Sequence, residues 1–144
     1  MTPEWMTDSP RPFSKVLVAN RGEIAVRVLQ AARESGLVGV AVYSDADIDS
    51  LHVEVADESI HLEGDSLEQT YLNGQAIIEA AEACGAEAIH PGYGFLSERA
   101  SFASAVEAVG LIWIGPPPEA IETMGDKISA RVLMIESEVP VIPG

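Results

Sequence analysis

Short apolar runs alternate with amphipathic stretches along this chain, and each period predicts a different element. Val16, Leu17, Val18 and Ala19 stand in an unbroken row, which predicts a strand over 15–19 buried on both faces. The turn Asn20-Arg21-Gly22-Glu23 follows. Beyond it Ile24, Ala25, Val28, Leu29 and Ala32 recur at helical spacing, Arg27, Arg33 and Glu34 take other directions, and Gly36 ends the helix. Residues 37–43 predict a second buried strand. Residues 44–50 are polar, with Asp45, Asp47 and Asp49, and a short helical turn is expected over 52–56. An edge-like third strand is expected over 58–62 and a loop over 63–70. Leu72, Ala76, Ile77, Ala80 and Cys84 mark a second long helix that Gly85 closes. Residues 87–90 predict a brief fourth strand. Ser97 is a suitable N-cap for the next helix, in which Phe102, Ala105, Val106 and Val109 share a face before Gly110 ends it. Residues 111–114 predict a fifth strand. Pro118 suits a first helical turn, so a short helix is expected through Met124. Asp126 then caps a last helix bearing Ile128, Val132 and Ile135.

Strands and helices in this order predict an α/β fold, a doubly wound, Rossmann-like parallel sheet with right-handed crossovers. The length of 144 residues fits one domain, and 47% apolar residues supply its core. No apolar run approaches the ~20 residues of a membrane span. Residues 1–12 hold three prolines and acidic side chains, without the basic start and apolar stretch of a secretion signal. They read as a disordered tail, and the expected location is cytoplasmic. Cys84 is the only cysteine, which excludes an internal disulfide and fits a small core filler.

Charge narrows the partners. With 23 acidic against 8 basic residues the net charge is −15, which disfavours nucleic acid. A polyanionic ligand would need local positive charge, and the only lysines are Lys15 and Lys127.

The most informative segment is His90-Pro91-Gly92-Tyr93-Gly94-Phe95-Leu96-Ser97-Glu98. It follows a predicted strand, and ligands of open α/β sheets gather at the carboxyl ends of strands. The residues admit two readings. Tyr93 and Phe95 could pack into the core of a structured turn, or Tyr93 could offer a face to a flat ligand while Gly94 lets backbone approach it closely. His90 is expected to orient the loop by hydrogen bonding. Asn20-Arg21-Gly22-Glu23 stands where a dinucleotide phosphate loop would stand. It has one glycine of the G-x-G-x-x-G pattern, which counts against NAD even with Asp45 and Asp47 after the second strand. An Arg21–Glu23 ion pair fixing the turn is the expectation there. His52 and His61 lack ligand spacing, so no metal site is expected. Lys127, in Gly125-Asp126-Lys127 ahead of a helix, reads either as a surface lysine or as a point charge for a phosphate.

Four segments together resemble one family. Val16-Leu-Val-Ala-Asn-Arg-Gly-Glu-Ile-Ala25, the His90–Glu98 loop, Trp113-Ile-Gly-Pro116 and Met124-Gly-Asp-Lys-Ile-Ser-Ala130 are similar, in this order, to the N-terminal region of biotin carboxylase. That enzyme module serves acetyl-CoA, propionyl-CoA and related acyl-CoA carboxylases. The resemblance covers residues 13–144 and implies a pre-ATP-grasp domain over 13–125, with 126–144 starting the link to an ATP-grasp body. It implies ATP-dependent carboxylation of carrier-bound biotin with bicarbonate, with ATP, Mg2+ and biotin as cofactors. Lys127 would bind ATP, and Tyr93, Gly94 and His90 would wall the biotin and bicarbonate pocket. Arg27 would lie at a homodimer interface. The implied partners are a biotin carboxyl carrier domain and a carboxyltransferase subunit. The catalytic residues of the ATP-grasp body are not in this sequence, so the chain alone is expected to be inactive and to be the leading part of a longer subunit. The alternative is a stand-alone, non-catalytic dimerisation module of the same fold.

Overall fold

A computed structural model describes residues 13–123. The expected tail over 1–12, the helix after Asp126, the linker over 126–144 and Lys127 itself lie outside the described residues. The elements run β1 (Lys15–Val18), α1 (Gly22–Glu34), β2 (Val38–Tyr43), a 3-10 turn (Asp45–Asp47), α2 (Leu51–Val55), β3 (Glu58–His61), α3 (Gly74–Cys84), β4 (Ala88–His90), α4 (Ala100–Ala108) and β5 (Ile112–Trp113). The five strands form one sheet in the order β3-β2-β1-β4-β5, and every pairing is parallel. This is the doubly wound α/β architecture expected from the alternation of periods.

The pleat explains how one apolar run serves two cores. Successive side chains of a strand point to opposite faces. From β1, Leu17 and the following Ala19 join Val40, Val42 and Ile89 beneath α3 and α4, where Ile77, Ile78, Ala81, Phe102 and Val106 meet them. Val16 and Val18 face the other way. Val18 and Ala41 pack on Ala25 and Leu29 of α1, and Val16 and Ala88 pack on Ala32. The central strands are therefore buried on both faces, as their unbroken apolar runs require. The β3 strand lies at the sheet edge and is mostly exposed. Cys84 is half-buried against the larger core.

Three boundary expectations need correction. The helix carrying Ile77 starts at Gly74, where the Asn73 side chain caps it by accepting from Ala76 N at 3.1 Å. Leu72 sits before it, its N–H bonded to Leu67 O at 2.8 Å. Ser97 is not an N-cap. Its backbone N–H donates to Gly94 O at 2.9 Å, which commits Ser97 to the preceding loop, and α4 begins at Ala100 behind Arg99. Val109 is the C-cap of α4 and is 48% exposed, because the helix ends before it can turn back to the core. Among the described residues no helix is long and apolar enough to cross a membrane.

Candidate functional site

Strand order locates the site. From β1 the chain winds outward through β2 to β3, then returns to β1's other side for β4 and β5. The order reverses between β1 and β4, and the crevice outside their carboxyl ends is where an open α/β sheet binds ligands. Two turns meet there, residues 19–22 after β1 and residues 91–99 after β4. The segment singled out in the sequence thus lies at the reversal point.

One buried side chain joins the two turns. Asn20 donates its amide to Pro91 O and to Tyr93 O, both at 2.8 Å, and its Oδ1 accepts from Arg21 N at 2.8 Å. Asn20 is 1% exposed, so water offers its polar atoms no alternative. Gly92 fits against it. A Cβ on Gly92 would lie 2.6 Å from Asn20 Nδ2 and 2.9 Å from Ile24 Cγ2, and its φ is +68°. Gly92 is thus the glycine that this internal packing requires. Gly94 has φ +69° and, among the described residues, nothing within 4 Å of where its Cβ would be.

The two aromatics of the loop divide the roles expected of them jointly. Tyr93 is 77% exposed, so it does not pack into the core. Phe95 does, with its ring against Tyr71. His90 holds the loop as expected, its Nδ1 accepting from Gly92 N at 3.0 Å. That bond needs a lone pair on Nδ1, and burial pushes the imidazole pKa below its ordinary value of 6.5.

The Arg21–Glu23 pair does not form. Arg21 reaches instead to Asp47, whose carboxylate is buried and also accepts from the Tyr71 hydroxyl at 2.6 Å. Glu23 lies on the helix surface, 3.9 Å from Arg27. The reason is reach. The helix starts at Gly22 and carries Glu23 outward, while the Arg21 side chain spans the mouth of β2. Burial by itself would raise the Asp47 pKa, but the Tyr71 hydroxyl and the Arg21 guanidinium outweigh it and hold the carboxyl below its ordinary 3.8. For Tyr71, burial first and the Asp47 carboxylate second push the phenol up to about 12.

These shifts have a sign. His90 and Asp47 both have folded pKa values below their unfolded ones, so each contributes stability that is complete above the unfolded value and disappears as pH falls through the folded one. Stability should hold down to about pH 6.5, decline as His90 protonates, and fall again below about pH 4 as Asp47 does. Thermal melts from pH 8 to pH 3 measure this. A His90→Leu variant should lose the first step and keep the second, and an unaltered first step in that variant would remove His90 as its source.

His90 and Tyr93 also line a groove of about 380 Å³ with Arg27 and the apolar residues Phe13, Val28 and Ile114. Three residues singled out in the sequence therefore share one surface. Arg27 is largely exposed there. His52 is buried, with Nε2 3.0 Å from Val42 O, and among the described residues no group of histidine, cysteine or carboxylate side chains could hold a metal ion. Sequence reasoning missed Asn20, Gly92, Asp47 and Tyr71 as site builders. A signal existed for Asn20, an amide placed where a buried apolar run turns out of the sheet.

The profile of the family described as biotin carboxylase, N-terminal domain, matches residues 12–121. The chain is 51% identical over 132 residues to the propionyl-CoA carboxylase alpha chain of Ruegeria pomeroyi, covering 92% of this chain and 19% of that protein. It is 57% identical over 132 residues to the biotin carboxylase of Allochromatium vinosum, covering 92% of this chain and 29% of that protein. Among solved structures, the biotin carboxylase domain of a thermophilic 2-oxoglutarate carboxylase bound to bicarbonate superposes with a TM-score of 0.79 at 48% identity, over 92% of this chain and 30% of that one. The chain thus spans roughly a fifth to three tenths of the length of these relatives.

Proposed function

Because the chain belongs to the biotin carboxylase N-terminal domain family, we propose that it is the leading lobe of an ATP-dependent carboxylase that transfers bicarbonate carbon to carrier-bound biotin. The parent would be the biotin-carboxylating subunit of an acyl-CoA carboxylase. Its partners would be a biotin carboxyl carrier domain and a carboxyltransferase subunit. ATP would pass its γ-phosphoryl group to bicarbonate, giving carboxyphosphate and ADP. The biotin ureido nitrogen would then take the carboxyl group in exchange for its proton, with release of phosphate. The observation that carries the reading is the exposed Tyr93-Gly94 turn, held at the sheet's reversal point by the buried amide of Asn20.

This lobe supplies surface and one cation. Tyr93 offers a ring face and Gly94 an unobstructed backbone to a flat ureido ring, and His90 fixes the turn beneath them. Lys127 neutralises ATP phosphate charge as a point charge. Mg2+ would act with ATP, and this reading assigns it no ligand among the described residues. Phosphoryl transfer depends on the metal and phosphate clamps, so the lobe alone is proposed to turn over no ATP. Arg27 is assigned to contact with a second copy of the subunit, in keeping with its exposed guanidinium.

The test uses the full subunit that carries this sequence. Wild type should cleave ATP in a bicarbonate-dependent reaction stimulated by free biotin. Lys127→Ala should raise the KM for ATP by roughly 10- to 100-fold, the value of one charge-assisted contact, and leave the KM for biotin nearly unchanged. A wild-type subunit whose ATP cleavage ignores biotin would sink the reading.

A further inference from the structure

Phe95 is, among the described residues, the only one other than glycine in a left-handed backbone conformation, at φ 49°. An aromatic residue does not favour that region, so the surroundings must hold it there. Its ring lies against that of Tyr71, with centroids 5.7 Å apart and planes at 54°. Tyr71 is buried and fixed. Its hydroxyl donates to Asp47 at 2.6 Å and accepts from Ser44 N at 3.2 Å. Asp47 takes the Arg21 guanidinium on its other oxygen, and that guanidinium stands 5.6 Å from the centre of the Tyr71 ring. Arg21 donates its backbone N–H to Asn20 Oδ1, and Asn20 grips the Pro91 and Tyr93 carbonyls.

The chain of contacts therefore closes on the loop from both ends. Asn20 holds it before Gly94, and Tyr71 holds it after. Tyr93 and Gly94 project between the two grips, Tyr93 exposed and Gly94 with open space around it. An ion pair with one partner half-exposed, as Arg21 is, is a weak source of stability. It can still fix one geometry among several.

We propose that Tyr71 and Phe95 are positioning residues: their paired rings, anchored through Asp47 and Arg21, set the direction in which the Tyr93-Gly94 turn meets a flat ring-bearing ligand. The ligand is biotin on the reading above, on which the kinetic part of this inference rests. Neither ring needs to touch it. Displacement of a positioning element by about 1 Å is enough to cost a large share of productive binding.

The experiment compares Phe95→Gly, Tyr71→Leu and Tyr71→Phe in the full subunit, with free biotin as the probe. Phe95→Gly is decisive, because glycine adopts the same φ without strain, so the ring contact is lost without the backbone conformation being disfavoured. A thermal melt checks that the variant is folded. The KM for biotin should rise about tenfold in Phe95→Gly and Tyr71→Leu while the KM for ATP stays within about twofold. Tyr71→Phe keeps the ring contact but removes the hydroxyl that anchors it to Asp47, so its biotin KM should rise by less than in Tyr71→Leu and stay above that of wild type. An unchanged biotin KM in Phe95→Gly, or equal rises for biotin and ATP, would overturn the positioning role. If the wild-type subunit shows no biotin-dependent turnover, the carboxylase reading fails and amide exchange decides the rest. Faster exchange at Tyr93 and Gly94 in Phe95→Gly than in wild type upholds the clamp, and equal exchange refutes it.

Discussion

Gly92→Ala should lower stability by about 3–5 kcal/mol, in the range of severe core substitutions. Two terms add. The alanine must adopt φ +68°, which costs an L-residue about 1 kcal/mol or more. Its methyl must also enter space 2.6 Å from Asn20 Nδ2 and 2.9 Å from Ile24 Cγ2. The amide cannot yield, because both its hydrogens are committed to the Pro91 and Tyr93 carbonyls. Gly94→Ala is the matched control. It bears nearly the same φ, +69°, with open space around the new methyl, so only the backbone term of about 1 kcal/mol remains. In a domain near 100 residues each kcal/mol moves the midpoint roughly 4–8 °C, so thermal melting separates the two easily. Equal midpoints for the two variants would mean that the loop relaxes away from Asn20. On the carboxylase reading Gly94→Ala has its effect elsewhere, as a raised biotin KM with a nearly intact fold.

The contrast between these glycines shows what the sequence could convey. Periodicity marked the central strands because Val16-Leu17-Val18 and the run in β2 are buried on both faces and leave no competing pattern, while the exposed β3 could be read only as an edge-like strand. The same pattern placed the loop at a strand's end, and parallel winding carried that end to the reversal point. Boundaries fared less well. Ser97 has the chemistry of an N-cap, but the turn built on the left-handed residues Gly94 and Phe95 runs on through it to Arg99, and the helix begins only at Ala100. No local propensity announces a left-handed phenylalanine. Its partner Tyr71 lies across the 63–73 connection and is fixed in turn by Asp47. The Arg21 pairing was likewise invisible, since Glu23 is the near acid in sequence and Asp47 the near acid in space. Lys127 and Tyr93 drew notice through motif resemblance, whereas for Asn20, which ties the two turns together, the only signal was its place at the end of a buried apolar run.

Asn20 is therefore the second position where a large effect is expected. Asn20→Ala leaves the buried Pro91 carbonyl, the Tyr93 carbonyl and the Arg21 N–H without their partner. Each unmade bond costs about 1 kcal/mol, and more where the group stays dry, so a loss of roughly 2–4 kcal/mol follows. Asn20→Asp is the more telling change. It preserves shape and keeps an acceptor for Arg21 N, but it turns a donor between two carbonyl oxygens at 2.8 Å into a third acceptor. A carboxylate there is desolvated and repelled, so its folded pKa must rise above the unfolded value. By linkage the deficit grows as pH rises through the unfolded carboxylate range toward that raised value. The midpoint difference between wild type and Asn20→Asp should therefore be smaller at pH 5 than at pH 8, whereas Asn20→Ala should show a difference of about the same size at both. Taking differences removes the acid losses that His90 and Asp47 impose on both proteins. A constant difference for Asn20→Asp would mean that water reaches the crevice floor, and that the two turns are held together by something other than this amide.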